Sequence, residues 1–178
     1  MSNGACVEKS DSVSQPIVVA DAGPLIHLDE LGCIELLADF KQIWVPDAIW
    51  SEVERHRPEA LKQSSPALVR KEVPPSSPVI DALASMYTLH LGEREALAWC
   101  LVQQHSLLLT DDTAARLAAK SLGLAAHGTI GLLIRAVRCQ LRTKAEVLQL
   151  LGDIPHRTTL HIRPSFLADV IREVEENA

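Results

Sequence analysis

Four short apolar runs punctuate the chain, at residues 17–20, 43–45, 106–110 and 124–126, and polar or turn-forming residues close each of them. A run that is apolar on both faces predicts a central parallel strand covered by helices on each side, because a half-exposed strand would alternate. Between and after these runs, apolar positions recur at helical spacing. Residues 25–38 predict one or two short helices interrupted near Gly32. Pro46 opens a helix to about residue 55, its fixed φ suiting a first turn where the missing N–H costs nothing. Further helices are expected over 79–87, 93–104, 113–122, 129–140 and 143–151. The last, over 165–175, carries Phe166, Leu167, Val170, Ile171 and Val174 as one apolar stripe. Strands alternating with helices predict an α/β fold on a short, mainly parallel sheet.

Two stretches depart from this pattern. Residues 1–15 are polar, with no apolar core and no cleavage site, and predict a flexible N-terminal tail rather than a signal peptide. The remainder, 16–178, predicts a single domain. Within it, residues 56–78 hold five of the ten prolines and predict a loop or loosely packed excursion, with a helical turn around Ala67. Apolar residues make up 47% of the 178 and charged residues 22%, which excludes a mostly disordered chain and leaves enough core to fold without disulfides. Cys6, Cys33, Cys100 and Cys139 lack zinc-site spacing, and Cys33 and Cys100 read as reduced core residues. No apolar run is long enough to span a bilayer, so a cytoplasmic protein without membrane contact is expected.

Charge narrows the function classes. A net charge of −6 excludes an indiscriminate polyanion binder, and six aromatics are too few for a broad base-stacking platform. The acidic residues, however, fall in telling places. In open α/β sheets the working crevice lies beyond the carboxyl ends of the strands. Asp21 directly follows the first predicted strand, and Asp111 and Asp112 follow the third. Glu52 lies on the helix leaving the second strand, and Glu93 and Glu95 occupy the first turn of the helix leading into the third. Each has a plain structural alternative. Asp112 could cap the following helix, Glu95 could be a capping partner to Gly92, Asp21 could hold the Gly23-Pro24 turn, and Glu52 could be solvated. If four carboxylates converge, two of them 5 Å apart repel by roughly 3 kcal/mol at an effective dielectric of 20, so the cluster must bind protons or a cation. Oxygen-only ligation selects Mg²⁺ or Mn²⁺, which suits phosphodiester hydrolysis. Between residues 113 and 145 there are six basic residues and no acidic one, the asymmetry a phosphate-backbone substrate needs. Arg116, one helical turn beyond Asp112, is the expected substrate neighbour, with Lys120 one turn further on.

The segments Val18-Val19-Ala20-Asp21-Ala22-Gly23-Pro24-Leu25, Val45-Pro46-Asp47-Ala48-Ile49-Trp50-Ser51-Glu52-Val53, Leu91-Gly92-Glu93-Arg94-Glu95-Ala96-Leu97-Ala98 and Leu107-Leu108-Leu109-Thr110-Asp111-Asp112 come in an order that resembles the PIN-domain superfamily. The nearest likeness is the PilT-like branch related to VapC-type toxin ribonucleases; Ala115-Arg116 and Gly128-Thr129-Ile130-Gly131-Leu132-Leu133 fit it too. The resemblance spans about residues 16–175. It implies a three-layer α/β/α sandwich and a catalytic divalent-metal site of Asp21, Glu52, Glu95 and Asp112, with Glu93 and Asp111 as alternates. Thr110 would orient that site through its hydroxyl, and Thr110, Arg116 and Lys120 are expected to meet the substrate. The implied activity is endonucleolytic cleavage of RNA, single strands included, by a metal-activated water attacking phosphorus in line. A cognate antitoxin and a homodimer are the implied protein partners. Glutamate at the third position, where aspartate is commoner, is a departure, and residues 93 and 95 lie about 200° apart on a helix. The competing expectation is a catalytically inactive PIN-like module that binds nucleic acid or protein.

Overall fold

Val18–Ala20 (β1) is a three-residue strand whose side chains are all buried, so it needs strand neighbours on both edges and cover on both faces. The computed structural model, which describes residues 16–62, 67–103 and 106–177, supplies both. After β1 come α1 (Ala22–Leu31), a 3₁₀ segment (Ile34–Asp39), β2 (Gln42–Pro46), α2 (Asp47–His56), a second 3₁₀ segment (Pro58–Lys62) and β3 (Ala67–Lys71). The chain continues through α3 (Pro78–Tyr87), α4 (Leu91–Val102), β4 (Leu107–Leu109), α5 (Thr113–Ser121) and β5 (Ala125–His127). It then runs through α6 (Thr129–Arg138), α7 (Lys144–Arg157) and α8 (Pro164–Asn177). No described helix is long and apolar enough to cross a membrane.

The five strands form one sheet in the order β3-β2-β1-β4-β5, every neighbouring pair parallel. Helices cover both sides: α4 packs on β1, β2 and β4 and groups with α3 and α5, while α1, α6 and α7 pack on one another. This is the expected α/β/α sandwich. From β1 the chain moves outward through β2 to β3, then returns to the other side of β1 for β4 and β5. The switch point therefore lies between β1 and β4, where open parallel sheets place their ligand crevice. Val18, Val19 and Ala20 stand opposite Leu107, Leu108 and Leu109, and Asp21 N donates to Leu109 O at 2.8 Å. Asp21 and Thr110 thus leave the sheet side by side.

Leu25, Leu28, Ile43, Ile49, Leu97, Leu108, Leu109, Leu133, Leu151 and Ile154 are fully buried, each contributing about 1.5–3 kcal/mol by leaving water. Gly92 lets α4 begin hard against α2. A Cβ there would lie 2.8 Å from Ile49 Cγ1, so any other residue would push the first turn of α4, and its acids, away from the strand ends.

The excursion expected over 56–78 holds one surprise. Ala67 begins a strand rather than a helical turn, and five residues of β3 pair with β2. As the edge strand, β3 is half-exposed and ends in Arg70 and Lys71, which hides it among charges and prolines. Arg70 Nε donates to Asp47 Oδ1 at 2.5 Å, and the Lys71 ammonium sits 3.8 Å from the Trp44 ring centroid. Lysine on an exposed edge is a common guard against intermolecular pairing. Helix α7 is also longer than expected. Its buried stripe Val147, Leu151 and Ile154 carries it past Gly152, and Pro155 falls in its last turns. The tail expected over 1–15 lies outside the described residues.

Candidate functional site

Asp21 closes β1 and caps α1. Its Oδ1 accepts from Ala22 N at 2.8 Å, and its Oδ2 accepts from Thr110 Oγ1 at 2.8 Å. Thr110, wholly buried, in turn accepts from Asp112 N at 3.1 Å. Asp112 caps α5, its Oδ1 accepting from Ala115 N at 2.7 Å. One threonine hydroxyl therefore ties the two aspartates together, and each carboxylate sits at the positive end of a helix.

Those favourable contacts do not offset the surroundings of Asp21. Burial pushes its carboxyl up to about 6, against hydrogen bonds from Thr110 and Ala22, and the charges of Glu93 and Glu52 push it further. Glu93 is raised as well, first by burial and then by Asp112 and Glu52, against the His90 amide that donates to its Oε2 at 2.8 Å. Asp21, Glu93, Asp112 and the exposed Glu52 thus act on one another through a common field. Among the described residues, no three acid, histidine or cysteine side chains form a ready-made metal cage.

Glu95, placed with the ligand set by the resemblance, carries a structural hydrogen bond. It is buried, and its Oε2 accepts from Ala48 N at 3.1 Å, tying the first turn of α2 to α4. An amide without an intrahelical partner needs such an acceptor. Glu93, two residues earlier, is the one coupled to Asp21 and Asp112.

Asp111 is likewise committed. Its Oδ2 accepts from His27 Nδ1 at 2.8 Å and from Thr129 Oγ1 at 2.6 Å, and its Oδ1 accepts from Thr129 N at 2.7 Å. Burial would raise its pKa, but the bonds from His27 and Thr129 outweigh that and lower it. Asp111 knots α1, β4 and α6 together. Gly128 makes the knot possible, because a Cβ there would lie 2.5 Å from Asp111 Oδ1 and 2.7 Å from Arg116 Nη2. Arg116 donates to Thr110 O at 3.1 Å, which holds its guanidinium beside the acids. Lys120 is exposed further along α5, lining a shallow groove with Leu117 and Leu124. Sequence reasoning did not single out His27 or Thr129; the Gly-Thr entry to α6 was their one visible trace.

The whole described arrangement, from β1 to α8, matches the DUF3368 family model, a PIN domain, over residues 17–176. The chain is a PIN domain. No curated protein is significantly similar to it. PIN domains are generally nucleases, which supports hydrolysis of nucleic acids as the catalytic class, and PIN nucleases usually employ divalent metals. The donor set of this PIN domain fits such an ion: it is all oxygen, and burial together with the neighbouring acids holds the Asp21 carboxyl up to about 6.

Proposed function

We propose that this PIN domain is a Mg²⁺- or Mn²⁺-dependent endoribonuclease with Asp21, Glu93 and Asp112 at its centre and Glu52 at the rim. The reading rests above all on the meeting of Asp21, Glu93 and Asp112 at the β1–β4 switch point, where burial, with the charges of Glu93 and Glu52 adding to it, drives Asp21 up to about 6. Asp21 and Asp112 are held in register by Thr110, and Glu93 is held by the His90 amide. A bound divalent ion would polarise the scissile phosphate and supply hydroxide near neutral pH. Arg116, anchored to Thr110 O, is placed to meet a phosphate oxygen, where a guanidinium binds two oxygens at once. Of the basic run from 113 to 145, Arg135 and Arg142 are paired with Asp39 and Glu35, while Arg116 and Lys120, exposed on α5, support a polyanionic substrate reaching the centre from that side. A toxin role, silenced by an antitoxin, rests on likeness to the VapC-type branch alone.

Purified protein with Mn²⁺ is expected to cut RNA, and Asp21→Asn to lower the rate by about a thousandfold or more, the loss of several kcal/mol of transition-state stabilisation. Equal rates for the two proteins would remove the site from the reaction. RNA binding without cleavage across several metals would instead favour the inactive-module reading.

A further inference from the structure

A cleft of about 600 Å³ lies between the start of α6 and the 160–163 segment that leads into α8. Thr113, the residue after Asp112, is part of its lining. Its size falls within the range of small-molecule sites, and its walls are of two kinds. Ile134, Ile162 and Phe166 make an apolar side; Arg116, His127 and Arg163 make a cationic one. Phe166 is 48% exposed, whereas the other five aromatic side chains are half-buried.

The cationic side has no internal answer. Among the described residues, no carboxylate lies within 4 Å of the guanidinium of Arg116 or Arg163. Asp111, the one acid lining the cleft, already gives both oxygens to His27 and Thr129. The His127 imidazole accordingly sits below its usual pKa, first through burial and then through the charges of Arg135, Arg116 and Arg138. A pocket with an open aromatic ring, an aliphatic wall and unpaired guanidinium groups is complementary to one ligand chemistry: a flat base joined to a phosphate.

We infer that this cleft seats the nucleotide next to the scissile bond, its base against Phe166 and Ile162 and its phosphate between Arg116 and Arg163. The inference rests on the ribonuclease reading for the place of that nucleotide in the substrate, though binding itself does not depend on cleavage. Thr113, which lines the cleft, directly follows Asp112 in the chain, so a strand seated in the cleft would leave it towards the centre. Arg163 and Phe166 are three residues apart across the entry to α8, which lets one short segment offer both the charge and the ring.

The test measures binding of a short labelled single-stranded RNA to the full chain in the Asp21→Asn background, where cleavage cannot consume the probe. Phe166→Ala is expected to weaken binding about tenfold, the usual worth of one base–aromatic stack, with an unchanged salt slope and with Phe166→Trp restoring affinity. Arg163→Ala is expected to weaken binding and make the salt slope shallower by about 0.7, one phosphate contact on a single strand. Unchanged melting temperatures keep either loss from being unfolding. RNA affinity unaltered by both variants overturns the inference, even if the wild type cuts RNA and the cleft proves to hold a protein segment. Both losses in a protein that never cuts would sustain the nucleotide seat and count against the ribonuclease reading alone.

Discussion

Asp21 and Asp111 stand at the carboxyl ends of neighbouring strands, both largely sheltered from water, and they titrate in opposite directions. The difference lies in what surrounds them. Asp111 receives three hydrogen bonds, from His27, the Thr129 hydroxyl and the Thr129 amide, and its charge is answered within the fold. Asp21 receives two, from Ala22 and Thr110, and looks onto Glu93 and Glu52. One aspartate is a structural knot; the other is a charge left for something outside the protein to neutralise. Burial alone does not separate a structural carboxylate from a functional one, but a count of donors against neighbouring acids does.

The sharpest way to break that contrast is to remove the knot. Asp111→Ala is expected to destabilise the fold by about 3–5 kcal/mol, the usual result of orphaning a buried charged partner, read from urea denaturation. A loss under 1 kcal/mol would mean that His27 and Thr129 find other partners. Next comes the choice between the two glutamates of α4. Glu93→Gln is expected to slow cleavage about thirtyfold, while Glu95→Gln keeps most activity because the amide oxygen still accepts from Ala48 N. The reverse ranking would return Glu95 to the metal centre. The smallest effect is on stability at Asp21. Asp21→Asn should stabilise the metal-free protein by about 1–2 kcal/mol at pH 7, once the weakened Thr110 bond is set against the relieved charge.

The pH dependence separates the same pair. Asp21 is raised from 3.8 to about 6, so the folded state holds the extra proton between those values. Metal-free stability therefore falls as pH rises through that window, and Asp21→Asn flattens the fall. Asp111 is lowered, so its contribution is present above the unfolded value of 3.8 and is lost as pH falls through its depressed folded value. Urea midpoints collected from pH 3 to pH 8 would check both slopes.

Much of this was legible in the chain because the central strands, buried on both faces, must read as continuous apolar runs, and the acids that follow them must lie at the sheet's carboxyl edge. Strand β3 was not legible: as a half-exposed edge it ends in Arg70 and Lys71 and carries no such run. Nor could residue types alone choose between Glu93 and Glu95. The choice turns on the Ala48 amide, 47 residues away from Glu95. The knot was hidden for a similar reason, since His27 lies 84 residues from Asp111 and looks in sequence like any histidine on a buried helix face.

Titration of the metal-free protein with Mn²⁺, followed by electron paramagnetic resonance, bears most directly on the cation that Asp21 awaits. The wild type should take up Mn²⁺ with a broadened signal that still shows bound waters, and Asp21→Asn should leave the ion free in solution under the same conditions. Equal uptake by the two proteins would contradict the account.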